Sequence, residues 1–143
     1  MKMEYEINGR KIECNLRQND IRKLVANMNS ISKESVTDGL VQYDKATDTV
    51  TVDDNASPSY AKYAAIHECI CCGKYGHLAP KTEDAESRCG LIDVMLTKLM
   101  TTPEREAYIQ KRIEMYNDLL RFNLNPSYNA QFKKSLKTLQ SLE

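Results

Sequence analysis

The chain has 143 residues, and its 20 Lys+Arg are matched by 20 Asp+Glu. That length fits one domain with a real core, and the balance leaves no net field to draw it onto nucleic acid or an anionic membrane. No apolar run reaches the length of a membrane span, and the charged start MKMEYEINGRKIEC lacks the apolar stretch of a signal peptide, so a cytoplasmic location is expected.

The first segment, MEYEI-NG-RKIECNL, has Asn8-Gly9 between two alternating stretches and predicts a hairpin. A helix is expected from Asn19 or Asp20, with Ile21, Leu24, Val25 and Met28 as its apolar stripe. GLVQYD and TVTVDD predict a second hairpin joined across residues 45–48. In SPSYAKYAAIHECICCG, Ser57 can cap a helix, Pro58 suits its first turn and Gly73 can end it.

TEDAESRCGLIDVMLTKLM predicts the next helix, with Thr82 as cap. Thr102 and Pro103 open the one after, whose stripe is Ile109, Ile113, Tyr116 and Leu120 and which Asn125-Pro126 stops. A last helix sets Tyr128, Phe132, Leu136 and Leu139 on one side. Strands early and helices late predict a single α+β domain over 1–143. Residues 1–56 supply two hairpins forming a small sheet plus one helix, and 57–143 are helical.

Five cysteines are an odd number, and Cys69, Cys71 and Cys72 crowd one segment. A secreted disulfide scaffold spaces and pairs its cysteines. In a reducing compartment they are thiols, metal ligands or core residues. Cys14 stands apart and has no assigned role.

The chemistry concentrates in YAAIHECICCGKYGHLAP, which opens like the zinc-protease motif H-E-x-x-H but has Cys71 in the place of the second histidine. His67 and Cys71, four apart, project from one helix face, and zinc accepts both imidazole and thiolate. Glu68 would then lie beside the metal as general base. A glutamate on so apolar a helix needs a partner or a function, and a salt bridge to an arginine would satisfy it equally.

Three residues are candidates for a third ligand. His77 follows His67 by ten positions, as in longer forms of the motif; Glu86 lies near the start of the next helix; Cys89 follows one turn on. Asp93, on roughly the same face, could support a ligand by hydrogen bonding, although a solvated face explains Glu86 and Asp93 as well. An alternative closed structural site uses Cys69, Cys72, His77 and Cys89. A nucleophilic pair of Cys71 with His67 or His77 lacks an orienting third residue.

The stretch LVQYDKATDTVTVDDNASPSYAKYAAIHECIC, followed by ESRCGLIDVML, resembles small zincin-like metallopeptidases of the regulatory kind that cleaves phage-type repressors. The resemblance spans roughly residues 40–100 and implies a metal-binding helix on a small sheet, with Glu86 in the place of an acidic ligand. The chain departs from the pattern at Cys71 and in a shorter gap to Glu86. Peptide deformylases carry a comparable site of two histidines and one cysteine.

Two functions follow as expectations. The first is a zinc hydrolase cleaving an amide bond in a peptide or protein. The second is a non-catalytic module that grips another protein or a second copy of itself through the C-terminal helices. Tyr108, Tyr116, Tyr128 and Phe132 either fill such an interface or form the core. Lys133, Lys134 and Lys137 make a modest basic edge that a solvated face explains, so nucleic acid is not an expected partner.

Overall fold

The computed structural model describes residues 3–7, 10–14, 32–34, 41–44, 46, 49–53, 56–72 and 75–142; side chains are described at 46, 50, 51, 56–72 and 75–142. The helix expected near residue 20 lies outside the described residues. Packing divides the chain into two compact units, Met1–Lys81 and Thr82–Glu143.

In the first unit, β1 (Met3–Ile7) and β2 (Arg10–Cys14) pair antiparallel, with Ile7 opposite Arg10. A separate group contains β3 (Ser32–Glu34), β4 (Val41–Asp44) and β5 (Thr49–Asp53). There β5 pairs antiparallel with β4 and parallel with β3. Helix α1 (Pro58–Cys71) lies against β4 and β5, where Ala61 and Ala65 form a small core with Val50, flanked by Ala56 and Cys69.

The expected α+β fold, with two hairpins in one small sheet, is overturned. Of the residues whose side chains are described, 74% are helical, their strand content is one two-residue stretch, and they build no sheet. The paired backbone segments are three to five residues long and fall into two groups that do not join. Val50 apart, the buried apolar residues whose side chains are described lie in the helices and short 3-10 turns.

The second unit is helical. It contains α2 (Arg88–Thr97), α3 (Thr102–Arg121) and α4 (Asn129–Gln140), with short 3-10 turns before α2 and α4. Helix α2 is buried all round from Cys89 to Thr97, as a helix surrounded by other elements must be. Its start differs from expectation. Thr82 accepts a hydrogen bond from the Asp84 N–H, and Asp84 caps a 3-10 turn by accepting from the Glu86 N–H at 3.1 Å.

Helix α3 is capped by Thr101, not Thr102. That register puts Glu104 third in the helix, so the Thr101 N–H donates to its carboxylate while the Glu104 N–H donates to the Thr101 hydroxyl. It ends before Asn125-Pro126. Asn123 takes a left-handed φ of 50°, while the N–H groups of Asn123 and Leu124 donate back to the carbonyls of Leu120 and Leu119.

The buried face of α3 keeps Ile109 and Tyr116 of the expected stripe and is centred differently from the rest of it. Tyr108, Ile109, Arg112, Met115, Tyr116 and Leu119 are buried, whereas Ile113 and Leu120 are half-buried. The cause is a polar core. Asp93 is fully buried at 0% exposure and Arg112 nearly so at 2%. The Tyr108 hydroxyl donates to Asp93 Oδ1 at 2.6 Å, and Arg112 Nε and Nη2 both donate to Oδ2 at 3.4 Å. Arg112 Nη2 also donates to the Tyr116 hydroxyl at 2.9 Å, and its guanidinium lies over the Tyr116 ring. Burial pushes the Tyr116 phenol well above its ordinary pKa, so it stays protonated.

Tyr108 and Tyr116 therefore belong to this core and are not available to an interface, while Tyr128 is exposed and Phe132 half-buried between the two tyrosine rings. Helix α4 buries Leu139, as expected, together with Ser135 and Thr138, and leaves Phe132 and Leu136 half-buried. Gly90 on α2 approaches Ser135 and Thr138: a Cβ there would stand 3.2 Å from the Ser135 Cα and 3.2 Å from the Thr138 Cβ. Only small residues fit at so close a contact.

Asp93→Asn or Arg112→Met alone should cost about 3–5 kcal/mol in urea unfolding, because each strands a buried charge or its partner. The double replacement Asp93→Leu with Arg112→Met should recover most of that loss. Gly90→Ala should lower the unfolding midpoint, since overpacking of about 1–3 kcal/mol outweighs the roughly 1 kcal/mol gained in helix propensity.

Candidate metal centre

Helix α1 is built to hold its side chains still. Ser57, with ψ of 151°, accepts the Tyr60 N–H at 3.3 Å, and Pro58 occupies the first turn. Tyr60, Ala61, Tyr63, Ala64, Ala65, Ile66, His67 and Ile70 are buried. The last turn closes at Cys72, whose N–H donates to the Glu68 carbonyl at 2.8 Å, and the Tyr75 N–H donates to the Cys69 carbonyl at 3.3 Å. Gly73, the expected stop, lies outside the described residues.

On this frame a ring nitrogen of His67 and the Cys71 sulfur come within 4.8 Å of one another. His67 is 2% exposed and Cys71 is half-buried. Ideal bonds from one zinc ion are about 2.0–2.1 Å to nitrogen and about 2.3 Å to sulfur, so small side-chain rotations would let a single ion bridge the pair. A buried imidazole and a half-buried thiol at this separation could supply two of the ligands of a metal ion. Glu68, the next residue along, is half-buried.

The other candidates are placed differently. Cys69 packs toward Val50, Ala61 and Ala65, and Cys72 is exposed at the helix end. His77 is exposed on the 3-10 turn Gly76–Leu78, its ring 6.4 Å from that of Tyr75. Among the described residues of the first unit, Cys69, Cys72 and His77 do not gather into a ligand group.

In the second unit, Glu86 is exposed and its carboxylate pairs with Lys134 at 3.2 Å. Cys89 is buried at the start of α2, where its sulfur accepts from Gln131 Nε2 at 2.6 Å. Asp93, expected to brace a ligand, has its carboxylate engaged by Tyr108 and Arg112. Sequence reasoning missed Arg112. The available signal was the spacing Tyr108, Arg112, Tyr116, which puts an arginine on the buried face between two aromatic residues four positions away on either side.

Lys134 is also less free than a basic edge would need. It donates to Asp84 Oδ2 at 2.6 Å, and the Ser87 hydroxyl donates to the same oxygen at 2.8 Å. These bonds, Lys134 foremost, hold the Asp84 carboxyl below its usual pKa; Asp84 and Glu86 together raise that of Lys134. No family model, curated protein or solved structure matches the chain.

A depressed carboxyl pKa stabilises the fold above the unfolded value and is lost as pH falls through the folded one. The Asp84 contribution should therefore be present at neutral pH and disappear below 3.8. Asp84→Asn keeps an oxygen able to accept the turn's hydrogen bonds but removes the charge. Urea midpoints should show it weaker than wild type at pH 7, with the gap narrowing in strong acid. The raised Lys134 contribution holds below 10.5 and fades as pH climbs through the folded value.

Proposed function

We propose that the chain is a zinc-binding protein whose ion is held by His67 and Cys71, with Glu68 as general base in hydrolysis of an amide bond. The observation that carries this reading is the approach of a buried imidazole and a thiol within 4.8 Å on one helix face. The ion would supply an acidified water and polarise the substrate carbonyl. Glu68 would take that water's proton and pass it to the leaving amine. A thiolate ligand donates more charge than a second imidazole and would moderate the acidity of the water.

His77, Glu86 and Cys89 are the candidates for a further ligand, and Cys89 is a buried soft donor. His77 is exposed, and Glu86 would have to leave Lys134. The substrate class is a peptide or protein, by the resemblance of the His67–Glu68 segment to metallopeptidases.

The protein purified without chelator or metal-affinity tag should carry about one zinc per chain, as structural and catalytic sites do. Elemental mass spectrometry should show that zinc lost in His67→Gln and in Cys71→Ser, and parallel Cys89→Ser, His77→Gln and Glu86→Gln variants identify the further ligand by the same loss. Glu68→Gln should retain the metal and lose peptide hydrolysis. A metal-free wild type would reject the proposal, and retained hydrolysis in Glu68→Gln would reject the role given to Glu68.

A second, non-catalytic reading is favoured by one surface. Phe122, Leu124 and Tyr128, around the turn that follows α3, are 56%, 52% and 50% exposed. On this reading the C-terminal helices meet a second copy of the chain there. Light scattering should then give a dimer that Phe122→Ser with Leu124→Ser returns to monomer.

A further inference from the structure

The last turn of α1 carries two further thiols that the metal reading does not use. We propose that Cys69 and Cys72 form a reversible disulfide, which makes this turn a thiol–disulfide exchange site for small disulfides of the glutathione class. The proposal stands independently of zinc binding.

The geometry starts from spacing. Residues three apart on a helix lie on one side, with Cβ atoms about 5–6 Å apart, whereas a disulfide needs about 3.5–4.5 Å. The pair must close by roughly 1 Å. In a helix interior that closure would distort hydrogen bonds on both sides. Here Cys72 is the capping residue, with φ of −119° and ψ of −21°, and its N–H donates to the Glu68 carbonyl. The bend is thus confined to the end of the helix. Among the described cysteines no disulfide is formed, so closure would be a change of state.

The two sulfurs differ in access. Cys72 is exposed and meets solvent, whereas Cys69 is half-buried beside Val50, Ala61 and Ala65. An incoming disulfide reaches Cys72 first. Cys71 competes poorly for Cys72, because adjacent helical side chains diverge by about 100° and their disulfide would close a strained small ring.

The exchange balances in two steps. Cys72, as its thiolate, attacks one sulfur of a disulfide RSSR; the S–S bond breaks, a Cys72–SR bond forms, and RS⁻ leaves to take up a proton. Cys69, as its thiolate, then attacks the Cys72 sulfur, forming the protein disulfide and expelling the second RS⁻, which is likewise protonated. Two protein thiols are oxidised and one RSSR is reduced to two RSH.

The test incubates the full-length protein with oxidised glutathione, alkylates the remaining thiols and maps the modified peptides by mass spectrometry. The wild type should lose alkylation at Cys69 and Cys72 together and retain no glutathione there, and dithiothreitol should restore both. Cys69→Ser should trap glutathione on Cys72, and Cys72→Ser should leave Cys69 alkylated. Cys71→Ser should still form the disulfide, which separates this proposal from the metal site, whose zinc that variant would remove. A wild type that keeps glutathione on Cys72, shows no reaction at Cys72, or links Cys71 in place of Cys69 would overturn the proposal.

Discussion

A carboxylate and a guanidinium buried together set the terms for the second unit. Neither Asp93 nor Arg112 can lie in an apolar interior alone, so α2 and α3 must meet where these two residues face each other, with Tyr108 and Tyr116 completing the contact. The rest of the unit follows from that requirement. Helix α3 turns its face to deliver Arg112, which moves Ile113 toward solvent and brings Met115 inward. An apolar core of the same volume would hold the helices as firmly but would tolerate a rotation. If the double replacement by apolar residues recovers stability, the role left to the ion pair is to fix the register of the helices.

In the first unit the constraint is apolar. Helix α1 is short of charge, capped at its start and buried over much of its surface, so its side chains have little freedom. Such a helix is a good platform for ligands, because the ordering cost of holding an imidazole against a thiol is already met by packing. It also gives the last turn of α1 a split character. Cys69 faces the small core, Cys71 lies one turn beyond His67, and Cys72 reaches solvent. Three thiols in four positions thus have three different surroundings.

What the sequence made legible was local. Ser57 and Pro58 begin α1 because their chemistry acts within one turn, and the pairing of His67 with Cys71 follows from helical period alone. Reading failed where a distant partner decides. The stripe of α3 names Ile109 and Tyr116 but omits Arg112, which counts as polar until Asp93 supplies a counter-charge from nineteen residues away. Ser135 and Thr138 of α4 are buried where Gly90 approaches them, a contact that the pattern of α4 alone does not signal. Thr101 displaced Thr102 as a cap through its reciprocal bonds with Glu104, a pattern that was present in the sequence but overlooked. The single sheet failed because alternation marks a strand without naming its neighbour.

The contact at Gly90 has a consequence for motion. Packed helices usually slide past one another by small rotamer adjustments, the side chains between them acting as a compliant layer. Between α2 and α4 that layer is missing at one point, since the Gly90 position stands nearly against the Ser135 backbone. Sliding along that seam would require the two backbones to separate first. Such a seam would favour rocking of α4 about the contact over shear across it, with displacement growing along α4 away from Ser135 and Thr138.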